Sequence, residues 1–268
     1  MKLSLLFIFV TTFMSCTSRE RQSEDGVGRL PDWAFGGFER PENVNPVISP
    51  IDNTWFYCPL TEDSVAWESN DTFNPAATIY DEKIVVLYRA EDKSGIGIGR
   101  RTSRLGYATS VDGVTFQRRS TPVFYPDNDL QKSLEWPGGC EDPRIAVTVD
   151  GLYVMMYTQW NRDIPRLAVA TSKDLVHWTK YGPAFAKAYD GKFYNMACKS
   201  GSILTELIDG RQVIKKVGGK YFMYWGEEHV FAATSEDLVN WTPIVNIDGS
   251  LKRLFSPRDG YFDSQLTE

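Results

Sequence analysis

Ala108-Thr-Ser-Val-Asp-Gly-Val-Thr-Phe116 is the first of three copies of one motif, and this repeat decides the fold. The other copies are Ala170-Thr-Ser-Lys-Asp-Leu-Val-His-Trp178 and Ala233-Thr-Ser-Glu-Asp-Leu-Val-Asn-Trp241, so the period is about 60 residues. Each copy is typical of a strand, then a turn, then an aromatic residue that returns to the core. We expect each Asp to cap its own turn, because its short carboxylate can bond the backbone N–H groups that follow.

Two more patterns precede the copies of the motif. One is a short β-prone run, found at residues 84–89, 152–157 and 220–225. The other, earlier still, is a short segment that carries at least one polar residue, found at residues 73–77, 141–145, 199–203 and 262–264. Each unit therefore holds three or four short strands, and no long helical pattern interrupts them.

Radial repetition of small antiparallel sheets predicts an all-β fold, a β-propeller. The period is too long for the coil of a β-helix, and a β-sandwich would not repeat its motifs so regularly. Residues 262–264 are predicted to form the first strand of a further blade. Because a propeller closes its ring to protect sheet edges, we expect a C-terminal portion of about one blade to be missing. The alternative is a four-bladed ring closed by the N-terminal segment.

Composition and charge restrict the class of partner. The 268 residues are 42% hydrophobic, which is enough for a core, and the net charge is −6. An acidic chain lacks the clustered Lys and Arg that bind phosphate backbones, so no nucleic-acid partner is expected. Eight Trp and thirteen Tyr provide surfaces on which sugar rings can stack. The sequence does not indicate an oligomeric state.

The N-terminal stretch is typical of a secretory signal. Lys2 precedes a short apolar run, Leu3–Val10, which is too short to span a bilayer. Ser15-Cys16 resembles a bacterial lipoprotein cleavage site, although Phe13 stands where Leu is usual. We therefore expect a signal peptide at 1–16 with Cys16 lipidated, a polar tether at 17–40 and the incomplete catalytic propeller at 41–268. The protein would then lie in the periplasm or on the outer-membrane surface, with plain secretion as the alternative.

The remaining cysteines do not predict a disulfide framework. Cys58, Cys140 and Cys198 are odd in number and widely spaced, which favours buried free thiols. Only two His are present, and no Cys/His group has zinc spacing. The sequence therefore predicts neither a metal nor a cofactor.

Polar residues at matching places in the units are the first candidates for a site. The innermost strand of each propeller blade lines the central channel, so residues on it from successive blades converge. The matching positions are Asn74, Asp142, Lys199 and Asp263. Asp142 precedes Pro143, which favours an extended backbone at Asp142. An alternative interpretation of this charged segment is a salt-bridged turn.

Five motifs, taken in order, resemble glycoside hydrolase family 130. They are Phe73-Asn-Pro-Ala-Ala77, Tyr88-Arg-Ala-Glu-Asp92, Ala108-Thr-Ser-Val-Asp-Gly113, Gly139-Cys-Glu-Asp-Pro-Arg144 and Phe262-Asp-Ser264. The resemblance covers residues 40 to 268. It implies a five-bladed β-propeller that acts on mannose-containing oligosaccharides, either as an inverting β-mannoside phosphorylase or as a β-1,2-mannosidase.

The resemblance also implies roles for individual residues. Asp142 would be the general acid, and its proton would pass to the leaving sugar through a mannose hydroxyl. Asn74 and Arg89 would hold the mannose. Lys199 and Asp263 would contact sugar or an anion.

The nucleophile decides between the two reactions. A phosphorylase binds inorganic phosphate as co-substrate through clustered cations, and Arg100, Arg101 and Arg104 could serve this role. A hydrolase needs a carboxylate that activates water opposite the acid. Glu227 follows the run at 220–225 and is a candidate base, with Glu268 as the second candidate. A carboxylate there would repel phosphate and favour water.

The sequence therefore predicts an inverting glycoside hydrolase that cleaves β-mannosidic, in particular β-1,2-, linkages. One alternative is a phosphorylase that releases mannose 1-phosphate. A second is a non-catalytic surface propeller that binds glycans. An arabinan-type glycosidase, which places three carboxylates on successive inner strands, fits less well because Asn74 and Lys199 occupy two of the matching positions.

Overall fold

A computed structural model of the protein describes residues 40–265. In it, each copy of the repeated motif closes a hairpin in one of three successive β-sheet units. The chain divides into two units, Met1–Asn43 and Val44–Glu268. Of the first unit only residues 40–43 are described, and they hold no helix or strand. The predicted signal peptide, with Cys16, and the candidate base Glu268 lie outside the described residues.

The first four-stranded meander follows a small two-stranded sheet. The small sheet pairs β1 (Phe56–Cys58) with β2 (Asp63–Val65). The meander consists of β3 (Asp71–Tyr80), β4 (Lys83–Glu91), β5 (Ser103–Ser110) and β6 (Gln117–Arg118), each antiparallel to the next. The β-prone run at residues 84–89 is the central part of β4, as predicted.

The second meander follows one short helix, α1 (Lys132–Glu135). Its strands are β7 (Gly139–Val147), β8 (Tyr153–Trp160), β9 (Pro165–Ser172) and β10 (Trp178–Pro183), again antiparallel in chain order. Strand β8 is buried along nearly its whole length, because valine, methionine and tyrosine side chains fill both of its faces.

The third meander contains an inserted hairpin. Its strands are β11 (Ser202–Ile203), β12 (Thr205–Ile208), β13 (Arg211–Ile214), β14 (Lys216–Val217), β15 (Lys220–Trp225), β16 (Phe231–Ser235) and β17 (Trp241–Pro243). Strands β11, β15, β16 and β17 are antiparallel neighbours in that order, and β14 pairs with β15. The hairpin of β12 and β13 is the insertion.

Strand β7 joins the three meanders. It pairs in parallel with β5 at Ser103 and Gly139, and with β13 at Val147 and Val213. Gly139 has φ +122°, and a Cβ at this position would lie 2.2 Å from the Ser103 carbonyl oxygen. Only glycine fits this approach, so the join depends on the absence of a side chain.

The repeated turns have one hydrogen-bond pattern. Asp112 Oδ1 accepts from the backbone N–H groups of Val114 and Thr115, at 2.9 and 2.8 Å. Asp174 and Asp237 make the same pair of bonds to the second and third residues after them. These bonds hold the pKa of Asp112 at about 2. The prediction that the three Asp are structural is confirmed.

Three buried hydrophobic clusters form the core. One cluster lies between the second and third meanders, and another lies between the first and second meanders. The remaining cluster lies under β1, around Trp67. Trp241, from the third copy of the motif, is 1% exposed in the first cluster. Cys58, Cys140 and Cys198 are buried and free, as the sequence predicts.

The all-β prediction is confirmed, since the only helix within residues 40–265 has four residues. No closed ring is formed by the residues that the structure describes. The predicted strand at residues 262–264 is wrong. These residues form turns and bends, because no described strand lies beside them and Asp263 bonds locally to Arg258 at 2.8 Å.

Candidate functional site

The first strands of the first two meanders bulge at the same place. The pairing of β3 with β4 shifts between Phe73 and Ala76, and that of β7 with β8 shifts between Glu141 and Arg144. Each shift contains an X-Pro pair, Asn74-Pro75 or Asp142-Pro143. Proline cannot donate to the strand ladder, so it is tolerated here because a bulge already interrupts the ladder.

The residue before each proline has a left-handed backbone. Asn74 has φ +44° and Asp142 has φ +49°. Ser200, at the matching place before β11, has φ +60°. The prediction of an extended Asp142 is therefore wrong: the bulge overrides the preference that proline imposes, and Asn and Asp are the side chains that best tolerate positive φ.

These three residues line one cavity of about 320 Å³. Its other lining residues are Pro75, Pro143 and Arg144. Each of the three meanders thus contributes a polar residue from the matching place in the repeat, and the second meander also contributes Arg144. In the third meander that residue is Ser200, not the predicted neighbour Lys199.

Asp142 is fixed through one of its two carboxylate oxygens. Asn74 Nδ2 donates to Asp142 Oδ1 at 2.8 Å, and Arg89 Nη1 donates to the same oxygen at 3.0 Å. Within residues 40–265, no hydrogen bond or ion pair involves Oδ2. The Asp142 side chain is 18% exposed, so one oxygen is oriented while the carboxylate remains accessible.

Arg89 lies beneath Asp142 and is surrounded by carboxylates. Its guanidinium also donates to Glu91 at 2.6 Å, to Glu141 at 2.8 Å and to Ser103 at 3.1 Å. Burial alone lowers the pKa of Arg89, but the surrounding carboxylates raise it above its ordinary value. Arg89 is 4% exposed, so little of it can touch a ligand directly.

Glu141 has the most perturbed carboxyl in this group. Burial raises its pKa, Arg89 lowers it, and the neighbouring charge of Asp142 raises it again, to about 7. The carboxylates of Glu91, Glu141 and Asp142 share one guanidinium. This excess of negative charge favours the protonated form of Glu141.

Lys199 connects this group to Glu227. Lys199 Nζ lies 2.9 Å from Glu227 Oε1. Burial lowers the pKa of Lys199, but Glu227, Asp142 and Glu141 together raise it above its ordinary value. Glu227 does not line the Asp142 cavity. Its partner Lys199 is adjacent in sequence to Ser200, which does, and Lys199 interacts electrostatically with Asp142.

Sequence comparison identifies the family to which this arrangement belongs. A family model for glycoside hydrolase family 130, described as β-1,4-mannooligosaccharide phosphorylase, matches residues 38–267. The chain belongs to glycoside hydrolase family 130.

Some relatives of this family 130 chain are described as phosphorylases and others as glycoside hydrolases. A 1,2-β-oligomannan phosphorylase of Thermoanaerobacter sp. (strain X514) is 37% identical over 184 residues, 65% of this chain and 53% of that protein. A crystal structure of a glycosyl hydrolase from Bacteroides ovatus is 83% identical with a TM-score of 0.88, over 90% of this chain and 67% of that one.

Another solved structure is 81% identical with a TM-score of 0.88, over the same shares of the two chains. It is described by the statement that the family 130 mannoside phosphorylases contain glycoside hydrolases that target β-1,2-mannosidic linkages in Candida mannan. The chain spans about half the length of the curated relatives it matches.

The structure brings together five of the predicted site residues of this family 130 chain in two groups: Asn74 and Arg89 with Asp142, and Lys199 with Glu227. Asp263 instead pairs with Arg258 and makes no recorded contact with Asp142 inside the described range. The roles of all these residues stay predictions.

Sequence reasoning missed Glu91, Glu141 and Ser103 as partners of Arg89, and Ser200 as a lining residue. Alternation along β4 places Glu91 on the same face as Arg89, which is a signal for that pair, but it does not say that Glu141 and Ser103 from other strands also reach Arg89. The sequence did contain a signal for the shared bulge, because an Asn-Pro and an Asp-Pro pair occupy the same place in successive repeats.

No group of three or more His, Cys, Asp or Glu within residues 40–265 has the geometry of a metal site. No helix in this part of the chain is long and apolar enough to cross a membrane.

Proposed function

We propose that this family 130 chain is an inverting glycoside hydrolase that cleaves β-1,2-mannosidic linkages in manno-oligosaccharides or glycans, with Asp142 as general acid. The observation that carries the proposal is the state of Asp142. Asn74 and Arg89 bind its Oδ1, while Oδ2 has no partner among the described residues and the side chain reaches the cavity. Oδ2 is thus the oxygen that a leaving sugar can approach.

The acid step needs only the residues around the cavity. Protonated Asp142 donates from Oδ2 towards the glycosidic oxygen, through a mannose hydroxyl as family resemblance implies. Asn74, which is exposed on the cavity wall, can also bind a mannose hydroxyl. The proton transfer leaves a carboxylate whose Oδ1 already accepts two hydrogen bonds, and these stabilise the charge that develops.

Glu227 is the candidate base. An inverting hydrolase places its two carboxyl groups about 6.5–9.5 Å apart, so that a water molecule fits between the base and the sugar. Lys199 Nζ lies 2.9 Å from Glu227 Oε1 and so orients this carboxyl group. Glu268 stays the second candidate.

Water is favoured over phosphate as the nucleophile because most of the candidate phosphate-binding side chains are already paired with carboxylates. Arg101 pairs with Asp71 and with Glu91, and Arg104 pairs with buried Asp92 at 2.7 Å. These two arginines are therefore committed to carboxylates, whereas Arg100, the third candidate, is exposed in the loop that precedes β5. Lys199 is likewise paired, and the carboxylate of Glu227 would repel a phosphate dianion beside it.

A phosphorylase is the second candidate, and the 37% identical relative described as 1,2-β-oligomannan phosphorylase supports it. Product analysis separates the two. The protein is incubated with β-1,2-mannobiose, with and without inorganic phosphate, and the products are resolved by chromatography. Hydrolysis gives mannose at equal rates in both reactions. Mannose 1-phosphate that forms only with phosphate would overturn the hydrolase proposal, and binding without cleavage would support a glycan-binding module.

We also propose the finer architecture and the location. The three meanders would be successive blades of a five-bladed β-propeller, in a domain that begins at residue 41. Residues 1–16 would be a signal peptide, Cys16 would carry a lipid, and residues 17–40 would tether the domain to a bacterial membrane surface. Metabolic labelling with a fatty-acid analogue tests the anchor, because a Cys16→Ala variant should lose the label.

A further inference from the structure

The guanidinium of Arg89 is held on two sides by different partners. Nη2 donates to Glu91 Oε1 at 2.6 Å and to Glu141 Oε1 at 2.8 Å, and Nε donates to Ser103 Oγ at 3.1 Å. We call these three partners the Arg89 bracket. On the other side, Nη1 donates to Asp142 Oδ1 at 3.0 Å.

The Arg89 bracket is itself fixed. Glu91 is fully buried, and its second oxygen binds Arg101 at 3.1 Å. Ser103 Oγ lies 3.2 Å from both Glu91 and Glu141. The Phe73 ring lies 4.5 Å from the guanidinium carbon. A planar guanidinium engaged on each edge and stacked on a ring cannot turn without breaking charge-assisted hydrogen bonds.

We propose that Glu91 and Glu141 are positioning residues for Asp142: they hold one side of Arg89 so that the other side fixes Asp142 Oδ1 and leaves Oδ2 to carry the transferable proton. The inference rests on the proposed role of Asp142 as the acid. Glu91 and Glu141 act through Arg89 and do not themselves touch the substrate.

To hold Arg89, Glu141 needs an acceptor oxygen in the right place more than it needs a negative charge. Its pKa is raised to about 7 by burial, so near neutral pH the carboxyl is often protonated. A protonated carboxyl still accepts through its carbonyl oxygen, and a glutamine amide oxygen can accept in the same way. Glu141→Gln should therefore keep Arg89 in place, whereas Glu141→Ala should release it.

Steady-state kinetics on β-1,2-mannobiose test this pair of variants. E141A should lower kcat at least tenfold while KM changes less than threefold, and E141Q should keep kcat within threefold of wild type. The matched control is Glu68→Ala. Glu68 is fully buried and paired with Arg118 at 3.1 Å, but it has no contact with the Arg89 bracket. E68A should lower the melting temperature and leave the kcat of the folded protein within twofold.

A second measurement needs no turnover. In low-temperature ¹H–¹⁵N spectra, a fixed guanidinium gives separate Nη–H resonances, whereas a rotating one gives averaged signals. Arg89 should give separate resonances in wild type and E141Q, and averaged ones in E141A. Ser103→Ala is a gentler variant for the case in which E141A does not fold; it should lower kcat about threefold and speed exchange of the Arg89 Nε proton.

The outcomes separate the two proposals. Unchanged kcat or unchanged Arg89 resonances in E141A and S103A would overturn the inference, as would an E141Q variant as inactive as E141A. A wild-type protein that cleaves no β-mannoside, but whose Arg89 resonances respond as expected, would overturn the proposed function and support the bracket.

Discussion

Replacing Glu141 with Gln should make the stability of the folded protein less dependent on pH. The pKa of Glu141 is raised from an ordinary value of 4.5 to about 7, first by burial. Between these two values the folded chain binds this proton and the unfolded chain does not. Stability therefore falls as pH rises through this window, and it is highest, as far as Glu141 is concerned, below pH 4.5.

The size of the effect follows from the two pKa values. Ionising Glu141 between pH 5 and pH 8 lowers the free energy of unfolding by about 2.5 kcal/mol, of which nearly all is lost before pH 7.5. Gln cannot ionise, and its amide oxygen can keep the bonds from Arg89 and Ser103. E141Q should therefore lose this part of the pH dependence without losing the fold.

Urea unfolding followed by circular dichroism measures the difference directly. The free energy of unfolding is determined at pH 5 and pH 8 for both proteins, and the fall with pH should be about 2.5 kcal/mol smaller in E141Q. Titrating groups that do not interact with Glu141 are common to both proteins and cancel. The control is Glu206→Gln, whose exposed side chain pairs with Lys215 at 2.6 Å and should not alter the fall. Equal falls in E141Q and wild type, within about 0.5 kcal/mol, would refute the reasoning.

Three other predictions follow from the site and its frame. Asp142→Asn should reduce mannose release about 10³-fold or more, because Asn cannot donate the acid proton. The circular dichroism spectrum should not change, since Asn74 shows that Asn fits the left-handed backbone found at Asp142. Activity within tenfold of wild type would exclude Asp142 as the acid. Glu227→Gln should reduce hydrolysis at least about 100-fold with KM little changed, and an active E227Q would move the base to Glu268. Gly139→Ala should destabilise the fold by about 2 kcal/mol or more in urea unfolding, since its Cβ would lie 2.2 Å from the Ser103 oxygen; wild-type stability would contradict the close join.

The repeat made most of the fold predictable. The Asp of each motif binds N–H groups within its own turn, and such local bonds depend on residues close together in the sequence. Strands β4, β8 and β15 follow from their β-prone composition for the same reason. The segment at residues 262–264 matched the repeat, but no strand within residues 40–265 lies beside it, and a strand forms only where its backbone groups find a partner.

The site was less predictable than the fold. Asn74 and Asp142 were found because they occupy equal places in the repeat, and the structure does join them. The Arg89 bracket was not found, because Glu91 and Ser103 come from different strands and their approach to Glu141 depends on how the first two meanders pack. The left-handed backbone at Asp142 was missed because the rule for residues before proline assumes an uninterrupted strand.

The paired bulges have a consequence for how this site can change over time. Residues 74 and 142 line the cavity at the points where the pairing of their strands is already shifted. Both residues have positive φ, so Asn, Asp and Gly are the residues that fit there with the least backbone strain. The bulges therefore restrict which chemical groups these two positions can present to a ligand.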